Sequence, residues 1–198
     1  MARIRSKKNS SRKELITLAA ARLFREKGFS ATGMRDLAGD VGVEAASLYN
    51  HISSKAELLQ EICFRIANTF TTQLNELEAN DTMSSIEKIE QVIRFHIRMW
   101  VDRIDEVLVA NNESKYLDEP YLTTFYNERR IYVRRLEMII EDGIKKKQIR
   151  KIQPYAVVLL LLSAVRGIEF WHRTKKNISA AELEDSMVVN IINGLAAQ

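Results

Sequence analysis

The chain has one cysteine, Cys63, among its 198 residues, so no disulfide can form within it and a reducing compartment suits it. Met1 to Arg5 lack the apolar run of a secretion signal. The longest apolar run, Tyr155 to Val165, holds one serine and falls short of the roughly 18 residues a membrane span requires. Three histidines, His51, His96 and His172, share no metal-ligand spacing, and neither a glycine-rich phosphate loop nor a nucleophile elbow is present. These absences argue against secretion, a membrane partner, a bound metal and catalysis, and they point to a cytoplasmic protein with no cofactor. Two prolines, 46% hydrophobic and 28% charged residues describe a helix-rich globular chain, long enough for one domain or two.

Charge is unevenly placed. Residues 1–55 carry 11 Lys/Arg against 5 Asp/Glu, whereas residues 56–198 carry 19 against 21. Six of the positive charges (Arg3, Arg5, Lys7, Lys8, Arg12, Lys13) fall in the first 13 residues, where no apolar periodicity argues for order. Such an arm is either a solvated tail or a strand that follows a duplex.

Beside that basic region stands a short helix that cannot support itself. Val41 to His51 reads as a tight turn followed by a helix over residues 45–51, and seven helical residues span only about 10 Å. Met34, Leu37, Ala38 and Val41 recur upstream at helical spacing and stop at Gly42, which makes a helix-turn-helix or a plain helical hairpin. With Leu48 inward, a 100° step turns Ala46 and Asn50 outward, with Ser47 and Tyr49 on the flanks. Asn can offer donor and acceptor together to an adenine edge, and Ala can touch a thymine methyl. Tyr49, His51 and Lys55 are within reach of phosphates, Thr32 is placed to cap the bracing helix, and Arg35 lies in its first turn.

A first helix to Lys27 closes a three-helix unit, with Gly28 ending it. Ala20, Phe24, Lys27-Gly28-Phe29, Thr32, Arg35, Leu37-Ala38, Val41-Gly42-Val43, Ser47 through Ile52, Lys55 and Leu58 together resemble the TetR family of bacterial transcriptional regulators. That resemblance implies an N-terminal DNA-binding domain in a homodimer, and a C-terminal body whose small-molecule effector releases a palindromic operator. It assigns Thr32, Arg35, Ala45, Ala46, Ser47, Tyr49, Asn50, His51 and Lys55 to the DNA-facing set. Two departures stand out: Ala46 occupies a place where Gly or Pro is common, and Gly39 weakens the bracing helix.

The expected architecture is all-α, with about nine helices: a basic arm over 1–9, a helix-turn-helix domain over 10–54, and an effector and dimerisation domain over 55–198. Residues 55–78 form a long amphipathic helix of roughly 36 Å, suited to act as a lever. Later helices run from about residue 84 to 101, 104 to 110, 121 to 147, 154 to 174 and 180 to 195. The last two carry more apolar surface than one small domain must hide, which predicts a homodimer through residues 154–174 and 180–195. Two heads on a two-fold axis would read half-sites about 34 Å apart or a multiple of it.

For the effector, Phe95, Trp100, Phe125, Tyr126, Tyr132 and Trp171 offer apolar walls, and Arg94, Arg98, Arg129, Arg130 and Arg166 offer cations. Glu113 through Leu122, Tyr126 to Arg135 and Gly167 to Arg173 are similar to the C-terminal domain of regulators of fatty-acid, steroid and aromatic-acid breakdown, which implies an acyl-CoA effector. The ligand set is then Phe95, Trp100, Phe125, Tyr126, Arg129, Tyr132, Arg166 and Trp171. Two other readings compete. Glu169-Phe170-Trp171-His172 fits one half of a carboxylate di-metal site, although the second half is missing. A helical adaptor binding a protein partner, with nonspecific DNA affinity, would also use the basic arm and the apolar C-terminal helices.

Overall fold

A computed structural model describes residues 12–174 and 178–196. The expectation of a basic arm over residues 1–9 lies outside the described residues. Among the described residues ten α-helices and one 3-10 turn follow in order: α1 Arg12–Lys27, α2 Met34–Val41, α3 Ala45–Leu48, α4 Lys55–Glu78, α5 Ser85–Asp102, α6 Ile104–Asn112, η1 Ser114–Tyr116, α7 Tyr121–Lys145, α8 Pro154–Arg166, α9 Ile168–Thr174 and α10 Ala180–Leu195. Among the described residues there is no strand, only an isolated bridge between Ile149 and Ala196. The expectation of an all-α chain of about nine helices holds, with the 154–174 stretch divided at Gly167 into α8 and α9.

Helix boundaries follow local chemistry. Ser84 caps α5 and Ser179 caps α10 by accepting from the N–H groups of Glu87 and Glu182, while those carboxylates accept from the serine N–H groups at 2.7 and 2.8 Å. Each box satisfies two of the donors a helix start leaves open. Gly28 and Gly42 end α1 and α2 at φ of +83° and +74°, a left-handed conformation that a side chain resists. Pro154 opens α8, where its missing N–H costs nothing.

The chain forms two compact units, one from residues 1–66 and 105–125, the other from 67–104 and 126–198. Both α4 and α7 therefore contribute residues to each. In the first unit Ile16, Ala20, Leu23 and Phe24 of α1 are buried along with Leu37 and Ala38 of α2, Leu48, Ile52, and Leu58, Leu59 and Ile62 of α4. Ile16 and Ala20 lie deeper in this core than Leu15 and Leu18. In the second unit α5 packs against α8, α9 and α10, and its Ile89, Val92, Ile93, His96, Ile97 and Trp100 are buried. Arg94 joins α5 to α10 through Glu184 at 3.1 Å and Asp185 at 3.0 Å, and Arg98 adds a contact to Glu184 at 3.0 Å.

Pro154–Thr174 is long and apolar enough by length and composition to cross a membrane, so the expectation from the shorter apolar run was too narrow. Within its own unit, however, this stretch buries Val157, Val158, Leu161, Val165 and Ile168. Packing a core accounts for part of its apolar character; Tyr155, Leu159, Leu160 and Phe170 stay exposed.

Two glycines give a stability test of opposite sign. A Cβ at Gly39 would meet nothing within 4 Å, so Gly39→Ala should raise stability by up to about 1 kcal/mol through helix propensity. At Gly143 a Cβ would lie 2.6 Å from Ile149 Cδ1 and 2.9 Å from Ser85 Cβ. Overpacking of about 1–3 kcal/mol should outweigh the same propensity gain, so thermal unfolding of Gly143→Ala should occur below wild type.

Candidate nucleic-acid interface

The segment after Gly42 is shorter than its sequence pattern predicts. α3 holds its helical form only to Leu48, after which His51 N–H bonds the Leu48 carbonyl at 2.8 Å in a tightened turn. One residue anchors it. Leu48 is fully buried, worth about 1.5–3 kcal/mol, and Ile52 is buried just beyond. With Leu48 inward, Ala46, Tyr49, Asn50 and His51 are exposed, and Ala45 and Ser47 are half-buried on the flanks. Tyr49 is 56% exposed, a large aromatic surface left in water.

α2 braces this segment and is itself tied to α1 at both ends. Lys27 reaches Asp36 at 2.8 Å, and Arg22 pairs with Asp40. Asp36 also accepts from the Gly33 N–H at 2.8 Å. The Lys27 contact and then the Gly33 N–H hold the Asp36 carboxyl below its usual range. α4 is fastened to α1 by Lys13, which meets Glu57 at 3.1 Å and Glu61 at 3.0 Å. The Ser53 N–H and then Lys13 lower the Glu57 carboxyl in turn. Arg35 remains exposed at the start of α2.

Two residues of the expected DNA-facing set are placed differently. Thr32 is buried, its hydroxyl donating to the Gly28 carbonyl at 2.8 Å, and Gly33, not Thr32, occupies the cap of α2. Its side chain is taken up by the α1–α2 turn. Lys55 also turns inward, donating to the Phe29 and Thr32 carbonyls at 2.7 and 2.8 Å. Periodicity along one helix cannot report where a long side chain ends, so neither outcome was legible. Glu113 was missed as well: it sits in a stretch read for its similarity to the C-terminal domain of catabolic regulators, with no role of its own, yet it accepts the Phe29 N–H at 2.8 Å.

The expected ligand set is divided between the two units. Phe95 and Tyr132 flank Phe70, with ring centroids 5.5 and 6.1 Å away, and the Tyr132 hydroxyl shares a 2.9 Å hydrogen bond with His96 Nε2. Trp100 is buried, and its carbonyl accepts from His172 Nε2 at 3.2 Å, beside the Trp171 ring. Phe125 belongs to the other unit, buried 5.8 Å from Phe64. Tyr126, Arg129 and Arg166 are exposed on their helices. Arg94 and Arg98 are engaged by α10 carboxylates, with Asp185 the main cause of a raised Arg94 pKa. Glu169 pairs with Arg173, four residues on, and this uses the carboxylate of the Glu-x-x-His pattern.

Residues 16–62 match the profile of "Bacterial regulatory proteins, tetR family", and residues 82–195, more than half of the chain, match "Tetracyclin repressor-like, C-terminal domain". The chain belongs to the TetR family. TetR-family proteins are transcriptional regulators, not enzymes, which removes the di-metal reading. Among its relatives is the HTH-type transcriptional repressor KstR2 of Mycobacterium tuberculosis, 22% identical across 100% of this chain and 99% of the relative. KstR2 of Rhodococcus jostii is 28% identical across 97% and 94%. The solved structure of the M. tuberculosis ketosteroid regulator KstR2 superimposes with a TM-score of 0.86 at 18% identity, covering 96% of this chain and 97% of that one. AibR, solved in complex with isovaleryl coenzyme A and operator DNA, gives a TM-score of 0.77 at 24% identity, covering 90% and 96%. This TetR-family chain thus shares its fold with both.

Burial of His96 in its aromatic surroundings pushes its pKa down to about 3, against an ordinary value near 6.5. The folded state therefore resists protonating this ring, and stability present above pH 6.5 is lost as the pH falls toward 3. About 2 kcal/mol should disappear between pH 6.5 and pH 5, a window above the lowered carboxylates. Denaturant unfolding at the two pH values checks this, and His96→Gln should flatten the difference.

Proposed function

We propose that this chain is a sequence-specific DNA-binding repressor that grips a palindromic operator as a homodimer and lets go when a small hydrophobic anion binds. The observation that carries the reading is the exposed row Ala46, Tyr49, Asn50 and His51 on a segment held by the buried Leu48. Asn50 reads a base edge, Tyr49 and His51 hold phosphates, and Arg35 meets backbone or bases from the first turn of α2. Ala46 admits close approach to the groove floor, with Ala45 and Ser47 at its margins.

Dimerisation uses the apolar surface of α8, α9 and α10, where Tyr155, Leu159, Leu160, Phe170 and Val189 are each more than half exposed. Leu160 and Phe170, at 62% and 68%, are costly to leave in water, and a second copy covers them. An acyl-CoA is the first candidate effector. AibR, a structural neighbour, was crystallised with isovaleryl coenzyme A and operator DNA. The aromatic pair Phe95 and Tyr132 and the guanidinium groups of Arg129 and Arg166 have the chemistry to meet an acyl chain and phosphates. The continuous α4 links the effector body to the reading head, and the operator places the protein in the cytoplasm.

Selection of bound sequences from random duplex DNA tests the central reading: a palindromic consensus is expected, and an adaptor with nonspecific affinity would return none. On that consensus Asn50→Ala should flatten discrimination at one base position by about 1–3 kcal/mol, while Tyr49→Ala should weaken operator and random DNA alike. Thermal shift against acyl-CoAs of several lengths should show a rise in melting temperature with at least one. No rise with any of them removes the acyl-CoA assignment and leaves DNA binding untouched.

A further inference from the structure

The turn between α1 and α2 is held by residues that lie outside the helix-turn-helix. Lys55, the first residue of α4, directs its ammonium at the carbonyls of Phe29 (2.7 Å), Thr32 (2.8 Å) and Ser30 (3.4 Å), and the same nitrogen lies 4.4 Å from the centroid of the Phe29 ring. An ammonium has three donors. All three are directed at the turn. A cation at a helix start is disfavoured by the helix dipole, and three carbonyls offset that cost.

Phe29 is gripped from the other side as well. Its N–H donates to Glu113 Oε2 at 2.8 Å, its ring stacks on Tyr116 with centroids 5.4 Å apart, and its edge meets Phe24 at 5.2 Å. Glu113 and Tyr116 belong to the α6–η1 segment, and that segment makes two further ion pairs in this unit, Arg25 to Asp105 and Arg65 to Glu106. A residue held by carbonyl, N–H and ring cannot shift without moving Lys55, Glu113 or Tyr116. Phe29 in turn leads through the buried Thr32 to the cap of α2, the brace of the reading segment.

We infer that Lys55 and Glu113 are positioning residues for operator reading: together they clamp the Phe29 turn, so the α6–η1 segment is a working part of the DNA-reading unit and Lys55 is not a phosphate ligand. This rests on the DNA-binding reading above. The segment offers a route for regulation separate from α4, because displacing Glu113 releases the turn that supports α2.

The test uses the full-length protein, the consensus duplex recovered by selection and a scrambled duplex, titrated over a range of salt concentrations. Lys55→Met and Glu113→Gln should each weaken binding to the consensus by about tenfold, change scrambled-DNA binding less than about twofold, and leave the slope of log K against log salt as in wild type. A phosphate ligand behaves otherwise: its loss lowers both affinities together and reduces the slope by about one. That pattern for Lys55→Met, or an unchanged ratio of specific to nonspecific affinity for Glu113→Gln, would overturn the inference. Should Lys55→Met fail to melt as a folded protein, Glu113→Gln decides alone, since it keeps the side chain's size and weakens one acceptor. A wild-type protein that selects no consensus sinks the DNA reading itself, a result distinct from either variant's.

Discussion

Four helical residues cannot hold their own shape in water, and the first compact unit is built around that fact. α3 has one fully buried side chain, Leu48, and its other residues are small or turned outward. A helix this short forms only if its neighbours cover the cost of ordering it. The neighbours are themselves pinned: α2 to α1 by Lys27–Asp36 and Arg22–Asp40, α1 to α4 by Lys13 with Glu57 and Glu61. Exposed ion pairs of this kind are individually weak. Their value here is geometric, since each fixes the height of one helix against the next while Phe24, Leu37, Leu48 and Leu58 supply the burial.

This arrangement suits recognition. A reading segment has to present polar and aromatic groups to solvent, which deprives it of core residues, so its rigidity has to be borrowed. The half-buried flanks Ala45 and Ser47 and the exposed Ala46 keep bulk low, while Tyr49, Asn50 and His51 stand free at its end. The Phe29 turn extends the borrowing past the motif itself, to Lys55 in α4 and to Glu113 and Tyr116 in the α6–η1 segment.

The second unit follows a different logic. α5 packs against α8, α9 and α10, and its Arg94 and Arg98 close the contact with α10 through Glu184. Yet α8, α9 and α10 still leave Leu159, Leu160, Phe170 and Val189 in solvent. The unit buries one apolar face and leaves another exposed, the surface on which the proposed dimerisation rests. Inside it, the aromatic nest of Phe70, Phe95, His96 and Tyr132 is where a polar pair is held in apolar surroundings, with burial keeping His96 neutral and lifting the Tyr132 hydroxyl above the ordinary phenol range.

Sequence alone determined what depends on neighbours along the chain. The helix starts near residues 84 and 180, the stops at Gly28 and Gly42, and the outward turn of Ala46 and Asn50 all follow from spacing and capping chemistry, which act within one or two turns. Tertiary structure decided where flexible or misleading side chains end. It buried Thr32, drew the Lys55 ammonium onto carbonyls 23 and 26 positions away in the chain, and brought Glu113 to an N–H 84 positions away. A long side chain chooses its partner among groups assembled only by folding, and periodicity carries no record of them.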